Sequence, residues 1–311
     1  MASKGDPRSY QLCFSLGVLK IRHMGKAPSP IFALPFPESV IPDSSQNGRK
    51  LIAFGWYGGK FSHLKWLLPL LPRCHHYCEP FAGSAAVLLN RPPSPVETYN
   101  DIDGEVTSFF RVLREHSGEL VKQIGLTPFS REEFYRACVP VPGNHDIERA
   151  RRFFVRARQV RTGLAQTASL GRWANCKNTS RAGMSGVVSR WLGSVDMLPS
   201  IAERLLRVQI ENRPAREVVE LYDGKDTLFY CDPPYPHEAR GDAKAYGFEM
   251  SNEEHENLAL LLSKIKGKAA ISGYRCALMD KLYRGWRRVD SPAKKCHSVK
   301  QARIEALWMN Y

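Results

Sequence analysis

The stretch Thr227-Leu228-Phe229-Tyr230-Cys231-Asp232-Pro233-Pro234-Tyr235 constrains the fold more than any other part of the chain. Thr227 to Cys231 are apolar or β-favouring and read as a buried strand. Pro233 and Pro234 cannot donate to a sheet ladder, so the strand stops there and a rigid turn follows. That turn offers carbonyl acceptors without a competing N–H, with the Asp232 carboxylate beside them and the Tyr235 ring as a flat face. Two acceptors and a ring suit a planar amine such as the exocyclic amino group of a nucleobase. A tight turn with a surface Asp and a half-buried Tyr is the plain alternative.

Around this stretch the chain alternates between strand-like and helical segments. Leu51-Ile52-Ala53-Phe54 reads as a short strand running into Gly55-Trp56-Tyr57-Gly58-Gly59-Lys60, where glycines let backbone approach a ligand and Trp56 and Lys60 supply a ring and a cation. Leu64, Leu67, Leu68 and Leu71 share a helical face that Pro69 and Pro72 shorten. Glu79 to Asn90 reads as strand, small-residue turn and helix start, the arrangement that holds a nucleotide-like cofactor in an α/β sheet. Val96 to Asp101 is the next strand and ends in an acid about twenty residues after the Gly83 turn, where a carboxylate can accept from ribose hydroxyls. Helix capping by Asp101 or Asp103 is the alternative there. Past residue 200, Val208-Gln209-Ile210, Ala269-Ala270-Ile271-Ser272, Trp286-Arg287-Arg288-Val289 and Ala306-Leu307-Trp308-Met309 read as strands, and Ser251-x-x-Glu254 as a capping box. The alternation predicts an α/β fold with a mainly parallel sheet covered on both faces.

Lys and Arg number 45 against 31 Asp and Glu, a net charge of +14, which favours a polyanionic partner. The basic residues concentrate where the α/β rhythm breaks. Ser130-x-x-Glu133 opens one helix, and a second, expected over 146–164, carries Arg149, Arg151, Arg152, Arg156, Arg158 and Arg161 among Phe153, Phe154 and Val155. A Gly-, Ser- and Asn-rich tract with Arg172, Lys177, Arg181 and Arg190 follows. With few acids in sight, these cations are expected to face phosphates rather than only solvent.

The chain then divides into a flexible extension over 1–50, two halves of a catalytic domain over 51–125 and 200–311, and an inserted segment over 126–199. The eight cysteines are scattered and are expected to be free thiols. Cys74-His75-His76-Tyr77-Cys78 has loose spacing and lacks a second ligand pair, so a strand with incidental thiols is preferred to a zinc site, and no metal is expected. No apolar run approaches the ~20 residues a spanning helix needs, so no membrane partner is expected.

Trp56-Tyr57-Gly58-Gly59-Lys60, Glu79-Pro80-Phe81-Ala82-Gly83, Asn100-Asp101-Ile102 and Asp232-Pro233-Pro234-Tyr235 stand in the order found in the Dam-like, D-P-P-Y adenine-specific DNA methyltransferases, which the chain resembles from about Leu51 to Tyr311. The resemblance implies a Rossmann-like seven-strand methyltransferase sheet ending in an antiparallel hairpin, with a largely helical target-recognition insertion before the D-P-P-Y turn. It implies S-adenosylmethionine as methyl donor, double-stranded DNA as partner, extrusion of the target adenine, and a cytoplasmic, bacterial or phage-encoded monomer. By analogy Trp56, Tyr57, Lys60, Glu79, Phe81, Gly83, Asp101 and Asp232 would meet the donor, with Asp101 on its ribose. Asp232, Pro233, Pro234 and Tyr235 would hold the adenine, and Arg156, Arg158, Arg161, Arg172, Lys177 and Arg181 the DNA. Ala85 departs from the pattern, which usually has a second glycine there. An RNA adenine methyltransferase and a non-catalytic DNA-binding protein remain open as alternatives, while an amino-directed cytosine enzyme would resemble proteins with Ser in place of Asp232.

Overall fold

Nine strands and eleven α-helices make up the architecture among the described residues, which in this computed structural model are 50–140, 143, 145–162, 165, 168–239, 247–292 and 304–311. The strands are β1 His76–Glu79, β2 Val96–Asn100, β3 Ser180–Arg181, β4 Met184–Ser185, β5 Gln209–Glu211, β6 Thr227–Cys231, β7 Lys268–Tyr274, β8 Arg287–Asp290 and β9 Glu305–Met309. The helices are α1 Leu64–Leu67, α2 Ala86–Asn90, α3 Gly104–Glu115, α4 Ser117–Leu126, α5 Arg131–Ala137, α6 Asp146–Gln159, α7 Gly186–Val195, α8 Leu198–Leu205, α9 Ala215–Tyr222, α10 Asn252–Leu262 and α11 Ala277–Leu282. Apart from Lys50, the extension expected over 1–50 lies outside the described residues.

Seven strands form one sheet in the order β5-β2-β1-β6-β7-β9-β8. The first five are parallel, and β9 runs antiparallel to both of its neighbours. From β1 the chain steps outward to β2 and β5, then returns to the other side of β1 as β6 and β7. Strand order therefore reverses between β1 and β6, the place where open α/β sheets form a crevice at their carboxyl ends.

Alternation along β6 distributes its fully buried residues between two cores. Leu228 and Tyr230 join Phe54, Leu88 and Phe109 on one face, while Phe229 and Cys231 join Val218, Leu262 and Trp308 on the other. Phe54 is the hub of the first core: its ring packs against Trp56, Phe109, Phe110 and Phe153 at centroid distances of 5.1 to 5.9 Å. Replacing such a residue by Ala costs about 3–5 kcal/mol.

The expected strand at Leu51 to Phe54 does not form. Its backbone is claimed instead by the Asn90 side chain, which accepts from the Leu51 N–H at 2.8 Å and donates to the Leu51 carbonyl at 2.7 Å. α6 ends at Gln159 rather than running to 164, because Val160 turns extended and bridges Trp173. The Gly-, Ser- and Asn-rich tract is not all loop: Ser180-Arg181 and Met184-Ser185 pair across Ala182 and Gly183, both at positive φ, as a two-residue hairpin turn requires. At Ser130 only half the capping box is made. Ser130 Oγ accepts from the Glu133 N–H, but the Glu133 carboxylate is bound by Arg151 and Arg136. The box at Ser251 and Glu254 is complete.

Candidate active site

The two turns singled out by sequence follow neighbouring strands. β1 leads into Pro80-Phe81-Ala82-Gly83 and β6 into Asp232-Pro233-Pro234, so both open on the crevice where strand order reverses. The crevice is an open cleft lined by Trp56, Tyr57, Lys60, Glu79, Phe81, Gly83, Asp101 and Asp232 together with Pro234, Tyr230, Asp103 and Phe248. All eight positions assigned to the donor thus face one space.

Gly83 has φ +49°, and a Cβ there would lie 2.5 Å from Cδ1 of Trp56, so the glycine lets the indole close one wall. Its N–H donates to Asp101 Oδ2 at 2.8 Å and its carbonyl accepts the Tyr99 hydroxyl at 2.9 Å. Asp101 Oδ1 accepts from the Asp103 N–H at 2.9 Å, which orients the carboxylate at the end of β2. Burial raises Asp101 to about 6, against the pull of those backbone N–H groups. Glu79 is buried too and pushed up to about 8, despite the hydroxyl donated by Tyr77 at 2.7 Å.

On the other side, the Lys60 ammonium donates to Asp232 Oδ1 at 2.7 Å, Oδ2 at 2.8 Å and the Gly58 carbonyl at 2.6 Å. Burial alone would lower Lys60, but Asp232 and Glu305 together hold it above its usual value. One ammonium cannot neutralise two carboxylates, so Asp232 is itself raised by burial and by Glu305 in spite of Lys60. Ser272 Oγ donates to Asp232 Oδ1 at 2.8 Å as well.

Pro233 and Tyr235 lie behind this wall. Tyr235 is 2% exposed, its ring meeting the edge of Tyr274 at 4.9 Å and the Lys60 ammonium at 5.0 Å, and its hydroxyl donating to Glu305. The flat face expected of it is covered, and the exposed ring on the cleft is Phe248. Sequence reasoning missed Phe248, which sits in a segment without periodicity, and Ser272 and Glu305, whose roles appear only once β7 and β9 are paired. Glu305 opens the closing stretch Glu305 to Tyr311 through which the resemblance runs, and an acid opening an otherwise apolar strand was a signal for it.

The basic segment separates into two groups. Arg151, Arg152 and Arg156 are paired at 2.6 to 2.9 Å with Glu133, Glu148 and Glu105, and Arg149 with Asp146, so the expectation that few acids balance α6 does not hold. Arg158 donates to the Arg190 carbonyl at 3.2 Å, and burial beside Arg190 lowers it to about 10. Arg161, Arg172, Lys177 and Arg181 are exposed and make no ion pair among the described residues. Among those residues no group of three or more His, Cys, Asp or Glu could hold a metal ion, and no helix is long and apolar enough to cross a membrane.

No curated protein sequence matches the chain. The family model of the D12 class N6 adenine-specific DNA methyltransferases matches residues 56–303, a span that begins at the first cleft-lining residue and takes in both turns. The chain belongs to this family. A D12 class methyltransferase acts on the N6 amine of adenine in DNA, and the seven-strand, mostly parallel sheet with its closing antiparallel strands is in keeping with the Rossmann-like methyltransferase fold. Asp101, Asp103 and Asp232 line the cleft beside the rings of Trp56 and Phe81, a lining that fits a cofactor carrying positive charge.

Proposed function

We propose that this D12 class enzyme binds S-adenosylmethionine and an adenine flipped out of duplex DNA side by side in the cleft, and methylates the adenine at N6. Trp56, Tyr57, Lys60, Glu79, Phe81, Gly83 and Asp101 would hold the donor. When bound, the donor would supply an electrophilic methyl group on a sulfonium, whose thioether leaves with the S–C electron pair.

The chain's own work is orientation and field. Adenine's amino lone pair is delocalised into the ring and is a poor nucleophile. With the Asp232 carboxylate accepting an N6 hydrogen, the nitrogen pyramidalises and turns its lone pair toward the methyl. Once the N–C bond forms, the nitrogen sheds a proton, for which Asp232 is the nearest acceptor. Holding the reactants in line can supply up to about 7–11 kcal/mol of the barrier. Extruding the base costs a few kcal/mol, which stacking on Phe248 and phosphate contacts offset. The 126–199 segment would act as the target-recognition insertion, with Arg161, Arg172, Lys177 and Arg181 on the DNA backbone or bases. A cytoplasmic monomer is the simplest form for this activity.

The observation that carries this reading is the meeting of Asp232 with the Gly83 turn across one cleft at the reversal of strand order. The test is incorporation of a labelled methyl group into duplex DNA and into structured RNA by the unsubstituted protein and by Asp232→Ala. Transfer to DNA alone, lost in Asp232→Ala with donor binding retained, is expected. Full activity of Asp232→Ala would remove the assignment, and transfer to RNA alone would reassign the substrate.

A further inference from the structure

Beside the cleft stands a carboxylate that the reaction as described does not use. Glu305 opens β9 opposite Tyr274 of β7 and is 4% exposed. A buried carboxylate is costly unless partnered, and both of its partners are also partners of Asp232. The Tyr235 hydroxyl donates to Glu305 and lies 3.3 Å from Asp232 Oδ1, while the Lys60 ammonium is 3.4 Å from Glu305 Oε1 and 2.7 Å from Asp232 Oδ1.

These donors are unevenly shared between the two Asp232 oxygens. Among the described residues Oδ1 is met by Lys60, Ser272 and Tyr235, whereas Oδ2 is met by Lys60 alone. An ammonium lying on both oxygens draws off the charge that must attract the N6 hydrogens, so a strong acceptor at Asp232 requires Lys60 to move away. Glu305 is a second anion already beside the ammonium, its Oε1 3.4 Å away, so a short swing of the lysine stem would bring the two into a direct hydrogen bond. A cation entering the cleft favours that swing, because it repels the ammonium while balancing the surplus negative charge of two carboxylates facing one lysine.

We propose that Glu305 is a positioning residue for methyl transfer: it takes over the Lys60 ammonium and fixes the Tyr235 hydroxyl, leaving the Asp232 carboxylate to the substrate amine. This rests on the reading of Asp232 as the acceptor. A merely structural Glu305 would be replaceable by Gln, whose amide oxygen still accepts the Tyr235 hydroxyl. The proposed role requires the charge.

The test compares Glu305→Gln and Glu305→Asp in the full chain, by kcat on duplex DNA, by thermal melting, and by calorimetric affinity for S-adenosylmethionine and for its uncharged product S-adenosylhomocysteine. Glu305→Gln is expected to lower kcat about 10²-fold and to weaken the cationic donor relative to the neutral product, and Glu305→Asp to recover most of both losses. Wild-type kcat in Glu305→Gln, or Glu305→Asp no better than Glu305→Gln, overturns the proposal. So does loss of cooperative melting in both, which would assign Glu305 to the fold. Absence of transfer by the unsubstituted protein removes the reading of Asp232, and this proposal with it.

Discussion

Lys60 and Asp232, 172 residues apart in the chain, lie with the ammonium 2.7 Å from one carboxylate oxygen and 2.8 Å from the other. The pair ties the segment after the first glycine turn to the proline turn that ends β6, so the two walls of the cleft are joined by charge before any ligand enters. Glu305 adds a second carboxylate to the same ammonium from the closing strand.

Removing one member of that group should cost more than removing two. Lys60→Met leaves Asp232 and Glu305 facing each other in a buried site, and a loss of about 3–5 kcal/mol is expected from urea unfolding. In Lys60→Met/Asp232→Asn the repulsion is gone, and the double variant should be more stable than Lys60→Met alone. Strict additivity of the two single losses would show that the charges are not coupled.

Gly83 and Ala85 should respond in opposite ways. Both have positive φ, +49° and +55°. At Gly83 a methyl group would meet the Trp56 indole at 2.5 Å, so Gly83→Ala is expected to lower the melting temperature and weaken donor binding by displacing that wall. Ala85 already carries its methyl group in the left-handed region, so Ala85→Gly should gain about 0.5–1 kcal/mol, the relieved strain less the entropy added to the unfolded chain. A destabilised Ala85→Gly would mean that packing of the fully buried methyl outweighs the strain.

The sheet and the cleft were largely legible in the sequence because their signals are local. A β-favouring run ended by Pro marked β6, a strand running into a small-residue turn marked β1, a strand closing on an acid marked β2, and glycine turns marked where backbone bends toward the cleft. What could not be read depended on partners distant in the chain. Asn90 takes the backbone that would have made Leu51 to Phe54 a strand. Glu133 and Glu148 neutralise arginines that looked unbalanced along α6, since a helix shows its own charges but not those packed against it. Tyr235 carries the same ring whether it faces a cleft or, as here, is covered by Tyr274 and Lys60.

Stability should fall as pH rises through neutrality. Glu79 is raised from 4.5 to about 8 and Asp101 from 3.8 to about 6, in both cases chiefly by burial. The folded protein therefore keeps protons that the unfolded chain has already released, and this contribution is complete below the unfolded values and lost as pH climbs through about 6 and then about 8. Urea midpoints measured across that window should decline, and Glu79→Gln should flatten the upper part of the decline. A profile unchanged by Glu79→Gln would show that Glu79 is ionised throughout.

The arginines give a prediction that separates binding from folding. Exposed Lys177 and Arg181, at and beside the β3-β4 hairpin, have no ion-pair partner among the described residues, whereas Arg152 is bound by Glu148 at 2.6 Å and by the carbonyls of Arg136 and Val139 at 3.0 Å. A cation that already holds protein acceptors has little left for a phosphate, and one free in solvent gains by releasing counterions from DNA. Every cation withdrawn from a phosphate should reduce the slope of log affinity against log salt by about 0.9, so Lys177→Gln/Arg181→Gln should flatten it by about 2 with little change in melting temperature. Arg152→Gln should do the reverse, leaving the salt slope unchanged while lowering stability. Fluorescence titration of a labelled duplex at several salt concentrations, with a melt of each variant, checks both. A slope flattened by Arg152→Gln and untouched by the double variant would move the DNA-binding face from the hairpin to α6.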